Sequence, residues 1–242
     1  MIFNFFKSKP TLKELIPDRF VDIHSHVLPG IDDGAKNIQE SLELISEMKK
    51  LGFSKVIATP HTYEGLYDND NESITKCFNL LKSKVNDIKI DYASEYMIDS
   101  NLMKKITDRS ILCILGKYVL IEMSYIAKPN NFYETVFQII HNGYTPILAH
   151  PERYRFLYDN IDEYFKMKKV GCKFQINFLS TVGFYGKDTV KITEKLLKKR
   201  LVDFVASDIH NIEQIKYFRK KVRVNQLNEL IRCINNTKSV FI

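Results

Sequence analysis

Seven short runs rich in β-branched and aromatic residues recur along the chain, most of them separated by stretches of helical periodicity. They are FVDIHSH (20–26), KVIATPH (55–61), IKIDYASEY (88–96), YVLIEMSY (118–125), TPILAHPE (145–152), KFQINF (173–178) and DFVASDIH (203–210). Strands that alternate with helices pair in parallel, because each helix returns the chain to the starting edge of the next strand. Such a chain forms either a closed β/α barrel or an open, doubly wound sheet. Helical periodicity is clearest over 38–51, where Ile38, Leu42, Ile45 and Met48 share a face and Gly52 stands as a stop signal. Further helical patterns cover about 71–86, 131–142, 187–200 and 222–235.

The bulk of the sequence excludes several classes. With 242 residues, 45% hydrophobic and 27% charged, the chain can bury a substantial core and is not disordered. No apolar run approaches the roughly 18–20 residues needed to cross a bilayer. The start, MIFNFFKSKP, lacks a basic lead and a small-residue cleavage site. The reading is a soluble, cytoplasmic protein. Cys77, Cys113, Cys172 and Cys233 form no C-x-x-C pair and none is followed six residues later by Arg. A disulfide framework, a thiolate zinc site and the Cys-x5-Arg loop of cysteine-dependent phosphatases are therefore not indicated, and the four are read as reduced packing residues. The net charge of +7 is scattered over helical stretches such as MKK, LKKR and FRKK. It makes no continuous basic track, so no nucleic-acid partner and no membrane insertion are expected.

In a β/α barrel the active site is built where strands end, and the chemically unusual residues collect there. His24 and His26 close the first run, His61 the second, Glu95 the third and Glu122 the fourth; His150 ends the fifth, and Asp208 and His210 the seventh. Of the six histidines, the other is His141, in a helical stretch, read as a surface or helix-end residue. Alternate residues of a strand point to one side, so His24 and His26 can reach one ion, and Asp208-x-His210 repeats the geometry. Imidazoles mixed with carboxylates suit zinc, manganese or Fe(II). The candidates are too many for one ion, which implies two or three metals sharing carboxylates. Three divalent ions would outweigh the four carboxylates of Asp33, Glu95, Glu122 and Asp208 and attract a phosphate dianion. A metal also brings a water that ionises near pH 7, the nucleophile that no cysteine supplies. Arg153, in HPERY, is placed to fork onto phosphate oxygens. Each feature alone has a bland explanation: DDG is a common turn, and an inward Glu can pair with Lys. Their joint placement at strand ends is what points to chemistry.

Taken together, DIHSHVLPGIDDG, ATPH, EY, IEM, AHPERY and ASDIHN resemble the polymerase and histidinol phosphatase (PHP) superfamily. Within it they resemble bacterial manganese-dependent tyrosine-protein phosphatases of capsule and exopolysaccharide operons. The resemblance runs from about residue 20 to the C-terminus. It implies a distorted seven-stranded, TIM-like β/α barrel as a single catalytic domain over 21–242, preceded by an N-terminal extension over 1–20. It also implies a trinuclear metal centre held by His24, His26, Asp33, His61, Glu95, Glu122, His150, Asp208 and His210, with Asp33 favoured over Asp32 on motif alignment alone. Manganese is the implied metal, with iron, zinc or magnesium as alternatives. Arg153 would hold the phosphate, and Asp208 and His210 would join it as catalytic residues. The implied partner is a phosphotyrosine protein substrate, the Tyr-rich tail of a bacterial tyrosine kinase that controls polysaccharide export.

The sequence departs from that pattern at Ile215, where such enzymes often carry a second phosphate-binding Arg; Lys216 and Arg219 are the nearby replacements. TLKELI (11–16) is read as a short helix or a docking segment. Tyr63, Tyr67, Tyr125, Phe178 and Tyr185 are candidates to flank a phosphotyrosine ring. The alternatives are a small-molecule phosphatase of histidinol-phosphate type, a nuclease-like phosphoesterase, and a non-catalytic module that binds phosphorylated tails.

Overall fold

A computed structural model describes residues 8–242. The seven runs become nine strands: β1 (Phe20–Asp22), β2 (Phe53–Ala58), β3 (His61–Thr62), β4 (Lys89–Tyr92), β5 (Glu95–Met97), β6 (Tyr118–Glu122), β7 (Thr145–Ala149), β8 (Lys173–Asn177) and β9 (Phe204–Ala206). The second run breaks around Pro60, which has no N–H to give to a ladder, and the third breaks beside it at Ala93–Ser94. The strands form a three-stranded sheet, β1-β2-β4, and a six-stranded sheet, β3-β5-β6-β7-β8-β9. Every pairing is parallel.

Expectation and structure differ here. The strand layer is two sheets, not one unbroken seven-stranded ladder. Single backbone bonds join them near the strand ends: Thr59 N–H donates to Ser25 O (2.8 Å), Ala93 N–H to Ala58 O (2.8 Å) and Glu95 N–H to Pro60 O (3.1 Å). On the other flank His26 N–H donates to Ile209 O (2.9 Å) and Asp208 N–H to His24 O (2.8 Å). The regular ladder stops where residues turn their polar side chains toward a shared space. For the same reason His24 and His26 lie just beyond β1, and Glu95 opens β5 instead of closing a strand.

The longer connections are helical: α1 (Leu12–Leu15), α2 (Ile38–Leu51), α3 (Asn71–Lys82), α4 (Ser100–Thr107), α5 (Phe132–His141), α6 (Ile161–Lys169), α7 (Lys187–Lys198), α8 (Ile212–Lys216) and α9 (Leu227–Phe241). Helix α2 has the bounds its periodicity predicts. The Asn37 side chain caps its first turn by accepting from Glu40 N–H (3.0 Å), and Gly52 ends it in the left-handed region at φ 107°. The helix expected over 222–235 instead starts at Leu227, because 221–225 is engaged elsewhere: Val222 N–H donates to Pro10 O and Arg223 N–H to Thr181 O. Helices α4 and α6 were not legible in advance; α6 buries only Glu163, Tyr164 and Met167 along a charged segment. No helix among the described residues is long and apolar enough to cross a membrane.

Apolar residues pack in two places. The larger cluster lies between strands and helices and includes Phe20, Phe53, Phe178 and Phe218, whose rings pack on one another. The smaller one gathers Leu120, Ile147, Ala149, Phe204 and Ala206 from alternate strand positions. Phe241 of α9 closes it with its ring edge-on to Tyr118 and Phe204. Tyr118 begins β6 and Glu122 ends it, so this apolar plug sits at the end of the strands opposite the polar residues. TLKELI does contain a short helix, α1, with a reciprocal Thr11–Glu14 capping box. Leu12 is fully buried, and Lys9 Nζ donates to Arg223 O (2.6 Å) and Asn225 Oδ1 (2.7 Å). The segment is thereby fastened to the chain just before α9; residues 1–7 of the expected extension lie outside the described residues. All four cysteines are free, and burial pushes the thiols of Cys172 and Cys233 up to about 12, as packing residues require.

Candidate metal centre

Beyond the C-terminal ends of the strands, the nine residues singled out by motif converge. His24 Nε2 lies 3.2 Å from His26 Nε2, from Glu95 Oε2 and from Asp208 Oδ1. Glu95 Oε2 is also 3.1 Å from His61 Nδ1, while its Oε1 is 3.1 Å from His150 Nε2. Glu122 Oε1 approaches His61 Nδ1 to 2.8 Å, and Asp33 Oδ1 lies 3.4 Å from both His61 Nε2 and His210 Nε2. The donor atoms fall into overlapping groups, each compact enough for one ion: His26, Asp33, His61 and His210; His24, His150 and Asp208; His24, His26 and Glu95; His61, Glu95 and Glu122.

Protons alone fit this arrangement poorly. Gln175 Nε2 donates to Asn177 Oδ1 (2.9 Å), so its Oε1 faces His24 Nδ1 at 2.8 Å and the imidazole must donate there. His26 Nδ1 likewise donates to Asp32 Oδ2 at 2.8 Å. In the neutral rings, both Nε2 atoms then present lone pairs to each other and to two carboxylate oxygens. His61 Nδ1 and Glu95 Oε2 are buried without any aligned hydrogen-bond partner, although each has close polar neighbours. Atoms that approach closely without aiming at one another share a common target. A lone-pair-rich, solvent-excluded set of imidazole and carboxylate donors with fixed tautomers suits divalent metal ions. Burial opposes charge on Glu95 and Asp208, yet without a metal the surrounding histidines, with His24 and His26 raised toward their protonated form by these same carboxylates, hold both carboxyls well below their ordinary range. A divalent cation would supply that positive charge and leave the rings neutral.

The backbone builds this geometry at some cost. His150 (φ 34°) and Asp208 (φ 53°) both adopt left-handed conformations, which non-glycine residues rarely occupy. Gly34 lets the DDG loop close over His26: a Cβ at position 34 would sit 2.1 Å from His26 O. The loop separates its two acids. Asp33 reaches the cluster, while Asp32 stands behind it, accepting from His26 Nδ1, His61 N–H and Gly34 N–H. Several supporting residues went unnoticed in the sequence. Asn177 Nδ2 donates to Asp208 Oδ2 (2.6 Å), and Gln175 orients His24. Their i, i+2 spacing in KFQINF is the signal that could have revealed them. The fully buried Asp22 accepts from Ser207 N–H (2.8 Å), and burial pushes its carboxyl up to about 7 against that bond. Glu152 is pushed to about 7 by burial while accepting from Ser180 Oγ and Asn177 N–H. Both stand inside motifs singled out above, Asp22 in DIHSH and Glu152 in HPERY, but their spacing alone assigns neither a role.

An open cavity of about 360 Å³ lies over the cluster. Arg153 lines it, with one guanidinium nitrogen 3.0 Å from Asp208 Oδ2 and the head 4.8 Å and 4.3 Å from the ring centres of Tyr125 and Tyr185. Tyr67 stacks on His61 and Tyr125 on His150. Phe184, unforeseen, also lines the cavity. Two expectations are corrected. Phe178 is fully buried in the aromatic core and cannot touch a substrate. Lys216 and Arg219 do not line this cavity; they border a different one with Ile215, beyond α8, because that short helix directs Gln214 to the site instead. Among the described residues lining the cavity, Arg153 is the one Arg or Lys. His141, as expected, ends a helix; it is exposed and stacks on Phe137.

Comparison with known proteins agrees with this geometry. Tyrosine-protein phosphatase YwqE of Bacillus subtilis is 30% identical over 198 residues, covering 80% of this chain and 78% of that protein. Tyrosine-protein phosphatase CpsB of Streptococcus pneumoniae is 30% identical over 203 residues, 80% of this chain and 84% of the relative. A crystal structure from work on YwqE and CpsB, described as unique metal-dependent tyrosine phosphatases, superposes with a TM-score of 0.77 at 27% identity, over 87% of this chain and 85% of the other. The histidinol phosphate phosphatase HisK of Lactococcus lactis shares the fold, with a TM-score of 0.55 at 16% identity over 84% and 92% of the two chains. Residues 20–235 match the model of the capsular polysaccharide synthesis family CpsB/CapC, and with nearly the whole chain inside that match, this protein belongs to the CpsB/CapC family.

Proposed function

We propose that this protein is a metal-dependent protein-tyrosine phosphatase acting in the cytoplasm on phosphotyrosine of a protein substrate, the Tyr-rich tail of a bacterial tyrosine kinase of capsule synthesis. In this reading residues 21–242 are one catalytic domain, a distorted barrel formed by the two sheets and the bonds between them. His24, His26, Asp33, His61, Glu95, Glu122, His150, Asp208 and His210 hold the metals, three in number and manganese in kind. The observation that carries the proposal is the convergence of nine imidazole and carboxylate side chains, with His61 Nδ1 and Glu95 Oε2 buried and unpartnered, directly beneath an open cavity that Arg153 lines. Family membership and the names of the relatives support it.

Bound divalent cations supply Lewis acidity and a nucleophile ionised at neutral pH. The chain's own residues do the rest. Arg153 offers a planar fork to the phosphate oxygens, and a phosphate there replaces Asp208 as its partner. The rings of Tyr125 and Tyr185 both pack on the guanidinium, which leaves it little rotamer freedom to lose on binding. Asp208 at the floor of that space and His210 at its rim position the reacting phosphorus against the donor cluster. The cavity is open, as a side chain presented on a polypeptide requires.

The test is hydrolysis of a phosphotyrosine peptide, its phosphoserine twin and histidinol phosphate, in manganese and then in excess EDTA. Turnover of the phosphotyrosine peptide alone, abolished by EDTA, is expected. Turnover of histidinol phosphate alone would keep the metal chemistry and overturn the substrate. Tight binding of the phosphotyrosine peptide without turnover would favour the non-catalytic module.

A further inference from the structure

A second cavity, of about 410 Å³, adjoins the first and shares Tyr125, Arg153 and Tyr185 with it. Its remaining lining is Arg155, Tyr158 and Thr189. The two arginines occupy different states. Arg153 is partly buried, ion-paired to Asp208 and packed on the rings of Tyr125 and Tyr185. Arg155 is exposed, and among the described residues its side chain makes no hydrogen bond and no ion pair. No carboxylate is among the described residues lining this second cavity. Tyr158 is fixed as its wall, donating to Glu152 O (2.9 Å) with Thr189 Oγ1 at 3.1 Å.

Resting on the phosphotyrosine phosphatase reading, we propose that this second cavity is a subsite for an anionic side chain flanking the phosphotyrosine, and that Arg155 is the specificity-determining residue that pairs with it. The geometry of extended chains supports this. Residues 153 and 155 are two positions apart, so their Cα atoms are separated by no more than about 7 Å. Arg153 ends one 3-10 turn and Arg155 begins the next, and an extended peptide covers a distance of that order in one or two residues, which puts a side chain flanking the phosphotyrosine within reach of Arg155 when the phosphate is at Arg153. The second cavity lies directly across the shared Tyr125, Arg153 and Tyr185 side chains from the first, whereas a small-molecule phosphatase needs only the first. Position 215, the other place for a second arginine, carries a buried Ile and leaves the primary site with one. The anion-binding capacity has a second source two residues from Arg153, outside the pocket that holds the scissile phosphate.

The experiment compares manganese-loaded protein on phosphotyrosine peptides whose neighbouring positions carry Ala, Glu, a second phosphotyrosine or Lys, varied one position at a time on each side. Wild-type protein should prefer Glu or phosphotyrosine over Ala by about three- to tenfold in kcat/KM at one or two positions, through KM, with the preference shrinking in high salt. A preference for phosphotyrosine without one for Glu would assign the subsite to phosphate, and equal preference would assign it to any anion. In Arg155→Ala the preference should collapse toward one; in Arg155→Glu it should reverse in favour of Lys, a result that simple misfolding does not produce. If the wild type turns over phosphotyrosine peptides without any flanking preference, or the preference survives both substitutions, the subsite is wrong and the phosphatase reading stands. If no phosphotyrosine peptide is turned over, the phosphatase reading fails and the subsite fails with it.

Discussion

The floor and the rim of the candidate metal centre are built on different principles. On the floor, His24, His26, Glu95 and Asp208 have side chains that are 0–2% exposed, and each is held from behind or from the side by protein groups: Gln175, Asp32, His150 and Asn177 respectively. On the rim, Asp33 is 54% exposed, His61 14%, His210 16% and Arg153 23%. Buried donors are oriented before any ligand arrives, so they waste no entropy on binding, at the cost of keeping unpaired lone pairs out of water. Exposed donors can exchange partners, and substrate must enter among them. Floor residues should therefore govern whether the centre exists, and rim residues what it binds.

The sharpest test of that division is Glu95→Gln, since Glu95 contacts four histidines. Turnover should fall by about a thousandfold or more, together with bound metal measured by elemental analysis, while circular dichroism stays native. Retention of activity within tenfold would make Glu95 a structural acid. Next, Arg153→Ala should lower kcat/KM about a hundredfold without changing metal content. Arg153→Lys should recover only part, because a point charge lacks the fork; full recovery by Lys would refute bidentate binding. Behind the floor, Gln175→Leu frees the His24 tautomer, and manganese affinity should weaken by about ten- to a hundredfold in a metal titration. On the rim, Asp33→Asn should cost about tenfold in turnover and lower the metal stoichiometry at low manganese, a loss restored by excess metal. An unrestored loss would move Asp33 to the floor. Smallest in activity should be Phe178→Leu, where steady-state kinetics remain those of the wild type and a denaturation curve shows a loss of about 1–2 kcal/mol from the aromatic core. A changed KM there would return Phe178 to the mouth.

A companion contrast lies along the strands. One end is plugged by Phe241, Tyr118 and Phe204, and the other is crowded with charge. Both are made from the same alternation: in β6, Leu120 joins the apolar plug and Glu122, two residues later, joins the donor cluster. The fold puts stability and chemistry on one strand by letting residue type change along a single face.

Much of this was legible in the sequence because it depends on local order. The period of two carried His24 with His26 and Asp208 with His210, the period of 3.6 carried α2 to its correct ends, and the alternation of runs dictated parallel pairing. Eight of the nine residues that converge stand at or next to the ends of apolar runs, where a chemically unusual side chain is conspicuous; the ninth, Asp33, came only from the resemblance to a known family. What tertiary structure alone decided are relations between distant segments. Asp33 and Asp32 are neighbours of identical chemistry, and only the turn over Gly34 sends one to the cluster and the other behind His26. Phe178 and Tyr185 are both aromatics after the same strand, yet one is packed among Phe20, Phe53 and Phe218 while the other stacks on Arg153. The split of the ladder into two sheets, the buried Asp22 and Glu152, and the exclusion of Lys216 and Arg219 from the site follow from how elements pack. Spacing along a chain specifies which side chains share a face; burial and partnership depend on what the rest of the molecule brings to that face.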